Sequence, residues 1–456
     1  MVASVMLSSV QAGYAQVEPD NRMGRAAATF NDAQDLHEQG ALDEAIGLYR
    51  KALEILEEFP EAHFQLGTAL VQRGDFKSAE SSLRRAIALR PEWTLPILPL
   101  SRILLDDGRE SEAMSLIDSG IELEPSNPGL LAEKTFALLQ GSAPIEDLNA
   151  MLPRLSEVTR GANPAISALL ARAALELRIG KVEEASLSVK RAVSIGPENP
   201  NALRIKSEVE LASKDFTSAI ETSDRLLELD RSDGVALVIK ARALVGMGRA
   251  DQVTQMLTSI STTNRETRTA LSRILAENTS DRQTLTRLLQ EFPDDVEITF
   301  SACTSRNVLD ADSLVSVCTR FLSTPSDRGT IALGARAAAL LKLGRSIDAL
   351  ADFEKILAKV PDQVSAKAGS ALALFNLARW EEARTLFEEL TTASSGFPVG
   401  FFYLGIIYDR LARPTEALAN YEAFLRVADR VTMSDEIDRT ELRLSVLRRQ
   451  IKTRKN

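Results

Sequence analysis

Small side chains return along this chain at intervals of 34 residues. Three glycines and three alanines in the N-terminal part share the interval: Gly40, Gly74 and Gly108, and Ala45, Ala79 and Ala113. Alanines with the same separation return near the other end of the chain, at Ala349, Ala383 and Ala417. A fixed period of this length indicates stacked copies of one supersecondary unit, because a single unit is too small to bury its apolar face.

Large apolar residues between the small ones lie three, four or seven positions apart, which is the spacing of one helix face. Glycine at a turn, as at Gly74, suits a helix end in the left-handed conformation. Proline near a unit boundary, as at Pro91, stops the second helix. The pattern therefore predicts pairs of antiparallel helices that approach closely where the small residues meet.

The pattern resembles the tetratricopeptide repeat, a helix–turn–helix unit of 34 residues. Residues 401–408 have the family's order of Phe-x2-Leu-Gly-x2-Tyr, and Ala417 and Tyr421 follow at its second-helix positions. Residues 63–70 are similar, and His63 takes the first large position, where it has a packing role. The resemblance implies an all-α fold. We expect an α-solenoid of stacked antiparallel helix hairpins, with about 11–12 units and an irregular middle.

The sequence predicts five segments, three of them within the repeat region. These are a signal-peptide remnant or disordered N-terminus at 1–25, an N-terminal array at 26–263 that is degenerate at 129–164, irregular helical hairpins at 264–329, a C-terminal array at 330–430, and a capping helix with a basic end at 431–456. Pro153 falls in the expected second helix of the degenerate unit. Apolar periodicity persists through the middle, which favours irregular hairpins over a hinge between two arrays.

The N-terminal residues bear on the cellular compartment. Residues 1–17 carry no charged side chain, and residues 2–10 are mildly apolar. Gly13 and Ala15 suit the small residues before a signal-peptidase cut, although the basic n-region is missing. We expect a signal and a periplasmic or envelope-associated protein, with a disordered N-terminus and a cytoplasmic protein as the alternative. No uncharged apolar run reaches the ~20 residues of a membrane span.

The charge balance limits the partners. The chain carries 64 acidic and 54 basic side chains, a formal charge of −10, whereas nucleic-acid binding needs a basic face. We therefore expect protein partners and no nucleic acid. The basic C-terminal helix end, with Arg443 and Arg448, is interpreted as solvated, and contact with acidic lipid or nucleic acid is the alternative.

Catalytic chemistry is not indicated. The chain has two histidines, two cysteines and no recognisable catalytic or phosphate-binding motif, so we expect no enzyme, no cofactor and no metal. Cys303 and Cys318 are separated by 15 residues and are expected to be buried free thiols. If the protein is secreted, a disulfide between them is the alternative.

The resemblance places the second, fifth, ninth and twelfth residues of each unit on the concave surface. The candidate partner-binding residues at these positions are Phe64, Leu98, Arg102, Arg204, Arg242, Leu341, Leu372, Phe375, Phe402 and Ile406. They lack the Lys/Asn/Arg set with which some members hold an acidic peptide C-terminus. A mostly apolar groove suits an amphipathic helix or an extended apolar segment, and the last three repeats are its best location. Packing between units is the alternative use of these residues.

These patterns predict a non-enzymatic scaffold that binds partner polypeptides. We expect it to act in a bacterial cell-envelope assembly, secretion or polysaccharide-export complex. The alternative is a cytoplasmic regulator or chaperone that captures an apolar client segment, and an enzyme with a novel site is a third hypothesis.

Overall fold

The computed structural model describes residues 21–141, 143–260, 265–305, 308–393 and 396–455. In these ranges the regular secondary structure is entirely helical. The chain divides into two compact units after Ala243, inside the helix Gly234–Gly246. Two of the predicted segment boundaries are at residues 263 and 329, so the division into units matches neither of them.

Unit 1 consists of helical hairpins. Its helices are α1 Arg22–Glu38, α2 Leu42–Ile55, α3 Pro60–Arg73, α4 Phe76–Leu89, α5 Ile97–Asp106, α6 Glu110–Leu123, α7 Pro128–Gln140, α8 Ile145–Val158, α9 Ile166–Arg178, α10 Val182–Ile195, α11 Pro200–Ala212 and α12 Phe216–Leu229, followed by the first part of α13 Gly234–Gly246. Successive helices pack on each other through short turns, so the pairs run antiparallel.

Unit 2 has the same plan. After the end of α13 its helices are α14 Ala250–Ser259, α15 Arg265–Asn278, α16 Arg282–Glu291, α17 Val296–Thr304, α18 Ala311–Leu322, α19 Gly329–Lys342, α20 Ser346–Lys359, α21 Val364–Asn376, α22 Trp380–Ala393, α23 Pro398–Arg410, α24 Pro414–Val427 and α25 Ser434–Lys455. Across the described residues, α1 to α12 form six packed pairs and α15 to α24 form five, and α13 and α14 lie between them in chain order. The predicted all-α solenoid of about 11–12 hairpins is confirmed.

The recurring small residues lie where the helices approach each other. The alanines of the 34-residue period are fully buried: Ala45, Ala79, Ala113, Ala185, Ala219, Ala349, Ala383 and Ala417. At Gly67 a Cβ atom would lie 2.7 Å from the Leu83 side chain, and at Gly405 it would lie 2.5 Å from the Tyr421 ring. These glycines allow a contact between the two helices of a pair that a larger residue would block.

Nine of the turns between successive helices share one backbone conformation. Six glycines have φ between 73° and 85°, namely Gly40, Gly74, Gly108, Gly180, Gly248 and Gly344. Lys214, Ala378 and Ala412 take the same left-handed conformation, with φ of 58° to 61°, at the equivalent turns. The residue after the turn donates back into the first helix, as Asp75 N–H does to the Leu70 carbonyl at 2.9 Å.

The units predicted to be irregular also form helices. In the 129–164 unit, α8 includes Pro153 and buries Leu148, Met151 and Leu155 against its neighbours. In the 264–329 stretch, aspartates cap three helices: Asp281 caps α16, Asp295 caps α17 and Asp310 caps α18, each accepting a backbone N–H bond from the first turn. These caps satisfy helix ends where the repeat pattern is weak.

Cys303 and Cys318 form a disulfide between α17 and α18, with Cα atoms 4.9 Å apart. The expectation of two free thiols is wrong, because the hairpin brings the two fully buried cysteines into direct contact. Both helices of this hairpin also pack on α19, and the Cys303 Sγ lies 3.9 Å from the Ala332 carbonyl oxygen.

Helices α1 and α25 form the two ends of the described chain. Helix α1 begins at Arg22, so residues 22–25 of the segment predicted at 1–25 are helical. The rest of the predicted signal remnant, residues 1–20, lies outside the described residues. At the other end, α25 buries Leu444 and Leu447 against the last hairpin, as a capping helix would.

Candidate functional site

The first helices of the last three hairpins present a face that is almost free of charge. We define the C-terminal face by the second, fifth, ninth and twelfth residues of the repeat units that begin at residues 330, 364 and 398, which lie on α19, α21 and α23: Ile331, Gly334, Ala338, Leu341, Ser365, Ala368, Leu372, Phe375, Val399, Phe402, Ile406 and Asp409. Charged residues make up 26% of the chain, so about three charges would be expected in twelve positions, yet Asp409 is the single one. Spacings of three and four residues keep these side chains on one side of each helix.

Most of the C-terminal face is accessible. Of the twelve residues, eleven are exposed or half-buried. The predicted residues Leu341, Leu372, Phe375 and Ile406 are half-buried, so each keeps part of its apolar surface available.

Phe402 belongs to the core. Its side chain is 8% exposed, and its ring centroid lies 5.2 Å from that of Phe424 and 5.5 Å from that of Tyr403. The prediction that Phe402 lines an open groove is therefore corrected. Phe402 packs beneath the C-terminal face, because the Tyr403 and Phe424 rings cover the side-chain surface that a partner would contact.

An aromatic cluster between α21, α22 and α23 supports the C-terminal face. The ring centroid of Phe375 lies 5.2 Å from that of Trp380 and 4.8 Å from that of Tyr403. The Tyr403 ring stacks on the Phe387 ring, with a centroid distance of 5.4 Å. Burial raises the pKa of Tyr403, and the Glu436 charge adds to the shift. The repeat positions did not predict Tyr403 or Trp380 as site residues, because both lie outside the four positions that mark the face. Their aromatic character was the available signal.

The capping helix closes one end of the C-terminal face. Arg443 on α25 donates two bonds to the Asp409 carboxylate, both 2.6 Å long. The single acidic residue of the face is thus paired inside the protein. Arg448 pairs with Glu422 at 2.9 Å, so two cations of the basic C-terminal end have partners on the last hairpin.

Two predicted arginines of unit 1 form ion pairs within the fold. Arg102 bonds to Glu133 at 3.0 Å, and Arg204 bonds to Asp233 at 2.9 Å. Arg242 is exposed, with no ion pair among the described residues. An arginine already bound to a buried carboxylate is a weak handle for a partner, because releasing it leaves that charge unpaired.

The predicted apolar residues of unit 1 are half-buried. The Phe64 ring meets Trp93 edge-on at 5.0 Å, and Leu98 packs against the core of the third and fourth hairpins. Phe64 and Leu98 therefore keep part of their apolar surface accessible, as the four half-buried residues of the C-terminal face do.

His63 and groups of metal-ligating residue types are the candidate sites of chemistry among the described residues. The His63 Nε2 atom donates a hydrogen bond to the Glu57 carbonyl oxygen at 2.9 Å. Burial lowers the pKa of His63. The described residues contain no group of three or more His, Cys, Asp or Glu side chains placed to hold a metal ion. None of the described helices is both long and apolar enough to cross a bilayer.

Family models match three parts of the chain. A model described as TPR repeat matches residues 33–74, and a model described as tetratricopeptide repeat matches residues 60–93. A further tetratricopeptide-repeat model matches residues 164–234 and 335–397. The chain contains tetratricopeptide repeats at these residues. The last match contains α21 and most of α19, so two of the three helices of the C-terminal face belong to matched tetratricopeptide repeats.

Among curated proteins, the cellulose synthase operon protein C of Pseudomonas fluorescens strain SBW25 is 34% identical to this chain over 76 residues. The match covers 17% of this chain and 6% of that protein, so the chain spans a small part of its relative. Among solved structures, Pseudomonas aeruginosa pilF is 18% identical, with a TM-score of 0.40, over 48% of this chain and 99% of that one.

The APC/C hetero-tetramer Cut9-Hcn1 is a second similar solved structure. It is 13% identical to this chain, with a TM-score of 0.39, and the match covers 92% of this chain and 98% of the other. At these identities the likeness concerns the helical fold alone.

Proposed function

We propose that this tetratricopeptide-repeat protein is a non-enzymatic scaffold that binds partner polypeptides on its C-terminal face. The observation that carries the proposal is a face of twelve residues, eleven of them accessible, whose only charge is paired by Arg443. Large apolar patches that stay accessible are typical of interaction sites, because leaving them in water is unfavourable. Tetratricopeptide repeats are interaction modules, which agrees with this use.

Cross-linking in living cells tests the proposal. A photo-reactive amino acid is placed at Leu372 on the C-terminal face, and as a control at Ile347, which is 72% exposed on the second helix α20. The two positions are matched in aliphatic character and differ in the side of the hairpin that they occupy. We expect discrete polypeptide adducts from Leu372 and few from Ile347. Equal adducts from both positions, or none from Leu372, would contradict the proposal.

We further propose that the scaffold acts in an oxidising, extracytoplasmic compartment, within a bacterial envelope-assembly, secretion or polysaccharide-export complex. The Cys303–Cys318 disulfide supports this compartment, since such bonds persist mainly outside the reducing cytoplasm. The similarity to a cellulose synthase operon protein agrees with polysaccharide export, over the short segment that matches.

Cell fractionation separates this compartment from the cytoplasmic alternative. The full protein is recovered from each fraction, its N-terminus is identified by mass spectrometry, and its free thiols are alkylated under denaturing conditions. We expect a processed N-terminus and no alkylated cysteine. An intact N-terminus with two alkylated cysteines in the cytoplasmic fraction would favour a cytoplasmic regulator or chaperone.

A further inference from the structure

The C-terminal face has an apolar edge. Exposed aliphatic side chains lie in the first turns of its three helices: Ile331 is 56% exposed, Val364 is 60% exposed and Val399 is 39% exposed. All three helices therefore leave one aliphatic side chain of the first turn accessible to solvent. Ile331 and Val399 are the second residues of their repeat units and Val364 is the first residue of the middle unit, so the start of each helix adds apolar surface to the face.

The opposite edge of the face is cationic. Lys342 ends α19 and Arg410 ends α23, and both side chains are exposed. Neither makes an ion pair within the described residues, and Asn376 takes the equivalent position of α21. Cations suit the C-terminal ends of helices, which explains why they are tolerated there. Their head groups remain available to a partner.

The other cations along this edge are neutralised locally. Arg345 pairs with Asp348 at 2.7 Å, Arg379 with Glu382 at 2.6 Å, and Arg413 with Glu416 at 2.7 Å. These three pairs contribute no net charge, so Lys342 and Arg410 leave the edge with two positive charges. The chain as a whole carries a formal charge of −10, and the sign of this edge therefore differs from that of the molecule.

The distance between the two edges leaves room for one helix. Ile331 and Lys342 are 11 residues apart in α19, as are Val399 and Arg410 in α23, so each pair spans about 16 Å of helix axis. An α-helix with its side chains is about 10–12 Å wide. One helix lying across α19, α21 and α23 would cover the uncharged surface and place one of its edges beside Lys342 and Arg410.

We propose that the C-terminal face binds an amphipathic helix of a partner protein, one with an uncharged apolar side and acidic residues along the edge next to it. This inference rests on the proposed scaffold function and specifies the partner's chemistry. A helix with a basic edge would bring like charges together at Lys342 and Arg410, and an uncharged edge would leave these cations unmatched. Exposed charge pairs of this kind govern selectivity and association rate more than total affinity.

Three synthetic helical peptides test the proposal. They share one apolar side and carry Glu, Gln or Lys at the flanking edge positions, and their binding to the full chain is followed by fluorescence anisotropy at low salt. We expect the Glu peptide to bind roughly fivefold more tightly than the Gln peptide, and the Lys peptide to bind more weakly, from two exposed pairs. High salt should reduce these differences.

Variants of the chain show which charges are responsible. The double variant Lys342→Gln with Arg410→Gln should bind all three peptides with the affinity that the wild type has for the Gln peptide. The control is Lys359→Gln with Arg426→Gln, which removes two exposed cations from the second helices α20 and α24. The control should keep the wild-type order of affinities.

The outcomes separate the two proposals. If the Gln peptide does not bind, the scaffold function assigned to this face is wrong. If the Gln peptide binds but the Glu and Lys peptides bind equally, or the double variant keeps their order, the acidic-edge inference is wrong and the scaffold function stands. A Glu peptide interrupted by a central proline should lose binding, and undiminished affinity would contradict a helical occupant.

Discussion

Replacing Ala412 with glycine is expected to stabilise unit 2. Ala412 has φ of 58° in the turn between α23 and α24, a conformation that costs a residue with a Cβ atom about 1–2 kcal/mol. Glycine avoids this cost but loses roughly 0.5–1 kcal/mol more backbone entropy on folding. The expected net gain is about 0.5–1 kcal/mol. Gly344 provides the reverse substitution, because its φ is 73° and no atom lies within 4 Å of an added Cβ. Gly344→Ala should therefore lower the stability of unit 2 by about 0.5–1 kcal/mol through backbone conformation alone.

Hydrogen exchange measures this change locally, which matters because repeat arrays need not unfold in a single step. The opening free energy of α23 and α24 amides is compared between the wild type and Ala412→Gly. Ala338→Gly is the matched control: Ala338 is exposed inside α19, where the same substitution should destabilise by about 1 kcal/mol. If both substitutions destabilise their helices equally, the backbone strain assigned to Ala412 is refuted.

Three other perturbations follow from named contacts. Gly405→Ala should cost about 1–3 kcal/mol, because its Cβ would lie 2.5 Å from the buried Tyr421 ring, and an unchanged urea midpoint for unit 2 would refute this. Hydrogen bonds from Arg84 and then Arg109 hold the pKa of Glu80 below its ordinary 4.5, so this carboxylate stabilises unit 1 above that pH and the contribution disappears as the pH falls through the lowered pKa. Glu80→Gln should therefore weaken the acid dependence of unfolding measured down to about pH 3, and an identical pH profile would count against it. Replacing both Cys303 and Cys318 with serine should lower the unfolding free energy of unit 2 by about 3 kcal/mol, the value for a loop of 15 residues, as measured by urea unfolding with the reduced wild type for comparison.

The repeat architecture could be predicted because its signal lies in local residue identity. Ala45, Ala79 and Ala113 are all fully buried, since only a small side chain fits where two helices meet. The glycine turns at Gly40 and Gly74 could be predicted for a related reason, because their left-handed conformation excludes most residues.

Other features depend on contacts that local sequence does not specify. Ala378 and Ala412 adopt the left-handed turn without glycine, so the surrounding hairpin imposes their conformation. Phe402 was assigned to the face by its position, but packing against Tyr403 and Phe424 decides its burial. The disulfide depends on the approach of α17 and α18, which the 15-residue separation alone could not establish.

The central claim is that a partner polypeptide lies on the first helices of the last three hairpins. Hydrogen–deuterium exchange of the full chain, with and without a saturating amount of the acidic-edged peptide, tests it most directly. The account predicts slower exchange in α19, α21 and α23 and unchanged exchange in α20, α22 and α24. Protection confined to the second helices, or to unit 1, would contradict it.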